Sequence, residues 1–213
     1  MSPLAPRVRR ALLLAIAGAA LLGLAYKPAI HANLFPKNFG EVDPGKVYRA
    51  GQLSPAQFRA IHERHGIRTI IDLGSFEPGD PGEARNQRTA DALGIPRYVF
   101  DLEGDATGNP NWYVHTLRIM TDPAKQPVLV HCGAGSERTS CAVILYDALI
   151  HNAPIDEGYA AASRFKHDPA RNPHLKGVLD RHAQDILNAV TDRTQVRDAD
   201  PIPDPAPAKP LQR

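Results

Sequence analysis

Val128-Leu129-Val130-His131-Cys132-Gly133-Ala134-Gly135-Ser136-Glu137-Arg138-Thr139-Ser140 changes character twice within its length. Val128, Leu129 and Val130 form a short β-branched, apolar run after Pro127, so Cys132 falls where a buried strand ends. After the loop, Ala142, Val143, Leu145, Tyr146, Leu149 and Ile150 recur at helical spacing, and Arg138 opens a helix. A strand, a glycine-bearing loop and a helix N-terminus together make an anion site from backbone N–H groups and the positive end of the helix dipole. The same surroundings favour a thiolate, which makes Cys132 a candidate nucleophile.

The residue types fit a phosphate monoester. Its three non-bridging oxygens need donors, and its phosphorus needs a nucleophile in line with the leaving group. Backbone N–H groups from Gly133 to Arg138 can point inward where the chain takes conformations that glycine adopts cheaply, which gives Gly133 and Gly135 a role. Gly133, Ala134, Gly135, Ser136, Glu137, Arg138 and Thr139 are therefore the candidate substrate-binding residues. Arg138 returns to the same ligand one loop later with a planar, bidentate fork that lysine lacks. A hydroxyl at Thr139 or Ser140 can donate to the sulfur and help it leave when a cysteinyl-phosphate is hydrolysed.

His-Cys, five residues, Arg and then Thr resembles the signature of the cysteine-dependent protein tyrosine and dual-specificity phosphatase superfamily. The chain resembles in particular its small bacterial branch, because Val47-Tyr48-Arg49-Ala50-Gly51-Gln52-Leu53-Ser54 is similar to that branch's Tyr-Arg-Ser-Gly-Gln-Pro-Ser opening. His65-Gly66-Ile67-Arg68-Thr69-Ile70-Ile71-Asp72-Leu73 and Ala92-Leu93-Gly94-Ile95 follow in the expected order, and the likeness spans roughly residues 47–165. The resemblance implies Cys132 as nucleophile, Arg138 as phosphate clamp, and no metal or organic cofactor. It also implies a general acid, an aspartate on a loop upstream of the cysteine. Asp101-Leu102-Glu103-Gly104-Asp105-Ala106-Thr107-Gly108-Asn109-Pro110 is the candidate loop, with Asp105 the first choice, Asp101 the runner-up and Glu103 the third carboxylate.

Other chemistries fit poorly. A nucleotide-binding loop needs Lys where Arg138 stands. Cys132 and Cys141 form no Cys-x-x-Cys pair, and Cys141 reads as a buried structural thiol on an apolar helix. The nine histidines show no ligand spacing such as His-Glu-x-x-His, so no metal site is expected. Trp112 and Tyr113 read as core anchors. A net charge of +2 with no basic, aromatic-studded stripe argues against nucleic acid.

Between its ends the chain alternates strands and helices. Ser54-Pro55-Ala56-Gln57 carries an N-cap, a proline at the first helical position and a capping glutamine, leading a helix to about His65 that Gly66 ends. Strands at Thr69–Leu73, Arg97–Leu102 and Val128–His131 alternate with helices at about Glu83–Leu93, from Trp112 to about Met120, and after Arg138, with two more near Asp156–Phe165 and Leu175–Val190. The fold class is α/β: a single, mostly parallel central sheet flanked by helices, with the cysteine loop at a strand's carboxyl end. At 213 residues the length suits one domain with appendages.

The appendages are read from composition. Arg7, Arg9 and Arg10 precede an uncharged run from Ala11 to Tyr26, ended by Lys27 and Pro28, the layout of a signal-anchor or signal peptide over residues 1–30. With no clean small-x-small cleavage site after it, an uncleaved transmembrane anchor is the expectation. It would hold the catalytic domain, residues 31–195, to the membrane on the extracytoplasmic side, periplasmic in a Gram-negative cell; the alternative is secretion after cleavage. Residues 196–213, rich in proline, are expected to form a disordered tail.

The expected activity is hydrolysis of a phosphorylated protein or small phosphomonoester, of tyrosine or dual-specificity type. The loop interior holds one acid and no lysine, and the resemblance implies that polyphosphorylated inositides are disfavoured, since superfamily members acting on highly phosphorylated inositol lipids have lysines there. A singly phosphorylated lipid head group remains an alternative, as does a catalytically inactive phosphate-binding module. An arsenate reductase or sulfur carrier fits the Arg138-Thr139 pair worst.

Overall fold

A computed structural model describes residues 6–25, 35–77 and 79–211 of the chain. Its sheet has five strands: β1 (Gly40–Asp43), β2 (Val47–Ala50), β3 (Thr69–Asp72), β4 (Arg97–Val99) and β5 (Val128–His131), in the order β1-β2-β5-β3-β4. β5 runs parallel to both neighbours, β3 pairs in parallel with β4, and only the β1–β2 hairpin is antiparallel. All residues of β2, β3 and β5 are buried, which explains why these strands read as continuous apolar runs rather than alternating ones. β5 lies in the middle, so its carboxyl end opens where helices cover both faces of the sheet.

The helices follow their caps. In α2 (Pro55–His65) Ser54 and Gln57 form the reciprocal capping box, and Gly66 closes the helix in the left-handed conformation at φ 64°. α3 (Pro81–Leu93) starts on the Asp80 side chain and ends at Gly94. These two pack on one face with Tyr48, Leu53, Phe58, Ile61, Ile67, Ile70, Ala90, Ile95 and Leu129. The other face carries α4 (Asn111–Thr121), α5 (Glu137–His151), α6 (Ile155–Ala161), a 3-10 turn (Ala162–Phe165) and α7 (His174–Asp192) over the larger core, with Ile71, Leu73, Phe100, Leu117, Val130, Leu145 and Ile186 fully buried. Tyr113 is buried in this core as an anchor, and Trp112 packs against Phe100 with ring centroids 5.4 Å apart.

After α7 the chain carries no helix or strand over 199–211. Where proline and small residues promised little to bury, backbone groups hold the segment against the domain. Asn109 and Asn111 donate to the Asp200 carbonyl at 2.7 and 3.1 Å. Gln195 exchanges two hydrogen bonds with Ile202, and the Ala208 N–H reaches the Arg97 carbonyl of β4 at 2.7 Å.

At the other end, α1 (Pro6–Ala25) belongs to a separate unit that ends at Phe35. The transmembrane anchor expected here is not supported: no helix among the described residues is long and apolar enough to cross a membrane. From Ala11 to Ala25 an α-helix rises only about 22 Å, against roughly 30 Å of hydrocarbon, and the preceding turns carry arginines. The membrane partner and the membrane-anchored, extracytoplasmic location built on that segment fall with it. The cleavage region, residues 26–34, lies outside the described residues.

Candidate active site

Cys132 follows the last residue of β5 and is 1% exposed, at the floor of the loop that leads into α5. Its Sγ accepts hydrogen bonds from the Gly135 N–H and the Thr139 hydroxyl, both at 3.1 Å. Both donors are aimed at the sulfur, one from the loop backbone and one from the first turn of α5. Gly135 stands at φ +73°, and a Cβ there would lie 2.6 Å from the Gly51 nitrogen; one on Gly51 would lie 2.6 Å from the Ala134 carbonyl. The loop backs directly onto the end of β2, and both residues have to be glycine.

Arg138, in the first turn of α5, curls back over the loop. Its Nη1 donates to the carbonyls of Gly74 and Leu102, the latter at 3.0 Å, which fixes the plane of the guanidinium. Its Nε is buried and has no hydrogen-bond partner among the described residues. A guanidinium held by one amino group and unsatisfied at Nε is set to take an oxyanion on that edge. The carbonyls that hold it belong to the segments after β3 and after β4, so the guanidinium is aligned by the sheet itself.

Behind the cysteine lies a buried polar network. The His131 ring pairs through Nδ1 with Ser75 Oγ at 3.0 Å, and its Nε2 is 3.7 Å from Asp72. Asp72 accepts from Arg97 Nη2 and from the Ser75 N–H, each at 2.7 Å, and Arg97 also donates to Gln87. Burial pushes His131 below its ordinary value, which favours the neutral ring at neutral pH. Burial opposes ionisation of Asp72 as well, but His131, Arg97 and Ser75 outweigh it and hold the carboxyl low; with His131 neutral, Arg97 and Ser75 carry that effect.

Of the three loop carboxylates, Asp101 and Glu103 are exposed and Asp105 is half-buried. Asp105 Oδ1 accepts from the Thr107 N–H at 2.9 Å and its hydroxyl at 2.6 Å, and His174 lies 3.9 Å from Oδ2. Burial works to raise this carboxyl, but the Thr107 hydrogen bonds and His174 outweigh it and hold it below the ordinary range. The backbone beside it is anchored: Ala106 is buried at φ 78° and its carbonyl accepts from the Tyr113 hydroxyl at 2.9 Å. Glu137, in the loop's own final turn, neither faces solvent nor binds Arg138. It pairs with His167 Nδ1 at 2.7 Å. Cys141 is a free, buried thiol, pushed up to about 12 by burial, a core residue as its helix implied.

Sequence reasoning missed His167, Asn38, Ser75 and the Asp72–Arg97 pair, and it took Arg49 only as part of a resemblance. None of these has a local pattern that betrays it, since each meets the loop across a long stretch of chain.

A mostly parallel α/β sheet that delivers a cysteine, a glycine-turned loop and an arginine at the head of a helix is the protein-tyrosine-phosphatase-like arrangement. The family model of the tyrosine phosphatase family matches residues 33–151, and the chain belongs to that family. Inositol diphosphatase SIW14 of Saccharomyces cerevisiae is 32% identical over 112 residues, 51% of this chain but 38% of that protein. The chain therefore spans well under half the length of that curated relative. In fold it is similar to the core catalytic domain of the S. cerevisiae PP-IP phosphatase SIW14 in complex with citrate, with a TM-score of 0.62 at 24% identity over 74% of this chain and 93% of that one. It is also similar to P. aeruginosa TpbA in complex with pTyr, with a TM-score of 0.57 at 14% identity over 72% and 96%. Relatives from yeast and from a bacterium do not single out the small bacterial branch.

Proposed function

We propose that this chain hydrolyses phosphomonoesters through a cysteinyl-phosphate on Cys132. The carrying observation is the pair of donors on the Cys132 sulfur beneath an arginine whose Nε is buried and unsatisfied. In this reading the thiolate attacks phosphorus in line and the bond from phosphorus to the leaving oxygen breaks. Arg138 and the loop N–H groups hold the three equatorial oxygens, and Asp105 gives the leaving oxygen its proton. Water, activated by the same Asp105, then cleaves the phosphorus–sulfur bond, and the Thr139 hydroxyl eases the departure of the sulfur. We place the catalytic domain within residues 31–195, which hold every residue named in this scheme.

For substrate, a monoester of tyrosine or dual-specificity type is the leading reading. It is supported by a loop whose one ionisable interior residue is an acid, and by likeness of fold to a structure described with pTyr. A second reading, a small inositol diphosphate, is favoured by the relative named for that activity. The test is turnover of para-nitrophenyl phosphate, a phosphotyrosine peptide and an inositol diphosphate, with chelator present, by wild type and Cys132→Ser. Activity that survives chelator and disappears with Cys132 supports the thiol route, and the ratio between the last two substrates chooses the class. A folded, reduced wild type inactive on all three overturns it in favour of a phosphate-binding module.

A further inference from the structure

The opening Tyr48-Arg49-Ala50-Gly51-Gln52 has so far supplied a resemblance and no chemistry. In the structure the chain from Lys37 to Gln52 supplies a donor to each of three successive carbonyls on the outer side of the cysteine loop. The Gly133 carbonyl accepts from the Gln52 N–H at 3.0 Å and from Lys37 Nζ at 3.4 Å. The Ala134 carbonyl accepts from Asn38 Nδ2 at 3.0 Å. The Gly135 carbonyl accepts from Arg49 Nη2 at 2.6 Å.

Across a planar trans peptide the carbonyl and the next N–H point in opposite directions. Holding the carbonyls of Gly133, Ala134 and Gly135 outward therefore turns the N–H groups of Ala134, Gly135 and Ser136 inward. The Gly135 N–H does point in, at 3.1 Å from the Cys132 sulfur. We propose that Arg49 and Asn38 are positioning residues that preorganise the oxyanion-binding N–H groups of the cysteine loop.

Arg49 is itself tightly held. It is 3% exposed, its Nη2 also donates to Ser140 Oγ at 3.0 Å, and its guanidinium lies 3.5 Å over the centre of the Phe165 ring. Burial draws the group down to about 10, with Cys132 and Asp147 pulling the other way, so at neutral pH a cation sits behind the nucleophile. Asn38 reaches Ser136 Oγ and the Phe165 carbonyl as well, so one short turn holds the loop and the segment after α6 together. A donor fixed before substrate arrives costs no reorganisation when charge develops on the oxygens. A displacement of about 1 Å in such a site can cost on the order of a hundredfold in rate.

This inference rests on the function proposed above, and its test is built to fail separately. The full chain and the variants Arg49→Met, Arg49→Lys and Asn38→Ala are compared for melting temperature, for kcat and KM on para-nitrophenyl phosphate, and for affinity toward orthovanadate. For folded Arg49→Met and Asn38→Ala, kcat falls at least tenfold and vanadate affinity falls by a similar factor, while KM moves less than threefold. Arg49→Lys, which keeps one cationic donor, recovers part of both. Folded variants with a lowered melting temperature but unchanged kcat and vanadate affinity would reduce Arg49 and Asn38 to scaffold and overturn the inference. Should Arg49→Met not fold, Asn38→Ala decides by the same two outcomes. If the wild type binds vanadate without turnover, the proposed function fails, and the affinities of the variants alone judge the clamp.

Discussion

Glu137 belongs to the cysteine loop, yet its carboxylate is turned 2.7 Å from Nδ1 of His167 and away from Arg138. Burial raises this carboxyl above its ordinary range, His167 pulls it down, and Asp105 and Asp168 add to the rise. A carboxylate this close to a dianion costs affinity even when it faces away. Glu137→Gln is expected to lower KM for para-nitrophenyl phosphate about threefold at low salt, with the gain shrinking as salt screens it. Steady-state kinetics at two ionic strengths check this; a rise in KM would mean that the His167 pair is needed to shape the loop.

The Thr107 hydroxyl helps hold Asp105 in its charged form, whereas a general acid has to enter the reaction protonated. Removing that donor in Thr107→Val raises the carboxyl, so the protonated form persists to higher pH. The alkaline limb of the kcat/KM profile for a phenyl phosphate, whose leaving group needs a proton, should shift upward. Asp105→Asn should lose about 10²–10⁴-fold in the same assay. A profile indifferent to both changes would remove Asp105 from the reaction.

Thr139 donates to the Cys132 sulfur at 3.1 Å, and on the proposed route that bond matters most when sulfur leaves phosphorus. Thr139→Val should slow hydrolysis of the cysteinyl-phosphate more than its formation. Rapid mixing with para-nitrophenyl phosphate would then show a burst of nitrophenol near one equivalent, followed by a slow steady state. Equal slowing of both phases would place the hydroxyl in loop folding.

Stability should depend on the polar network beneath the loop. Asp72→Asn leaves the buried Arg97 guanidinium without its charge partner and should cost about 3–5 kcal/mol, read from urea unfolding. The rings of His131 and His115 are both held below their ordinary value, burial being the largest cause, so the folded state binds fewer protons than the unfolded one. Stability then falls as pH drops below about 6.5, the unfolded histidine value. Asp72, held low, keeps its contribution until the pH falls below the unfolded carboxylate at about 3.9. Urea midpoints at pH 7.5 and 5.5 test the histidine part, and a midpoint higher at 5.5 would contradict it.

The sheet and its site were legible to different depths. Val128–Val130, Cys132 and Arg138 were readable because strand, loop and helix adjoin in sequence, and the Ser54 capping box announces α2 in four residues. Asn38 and Arg49 meet the loop from 96 and 86 positions away in sequence, so only the folded chain brings them there. His167 has the same difficulty, with the added one that an isolated histidine usually signals nothing. The run after Arg10 misled because composition records apolarity but not reach, and Ala11–Ala25 falls short in length. The tail, residues 196–213, was read from composition alone, which does not register contacts made one residue at a time: Val196 is buried in the larger core, and the backbone of Asp200, Ile202 and Ala208 is hydrogen-bonded.

That tail has a consequence for how copies of this protein meet. β1 and β4 are the two outer strands, and an outer strand left open invites another chain to zip onto it. β1 is spoiled as a template by the irregular register between Glu41 and Asp43. β4 is short, and the Arg97 carbonyl on it is already taken by the Ala208 N–H. A chain cut before Ala208 would bare that carbonyl, and self-association through the sheet margin, rather than loss of the cysteine loop, is the failure to watch for.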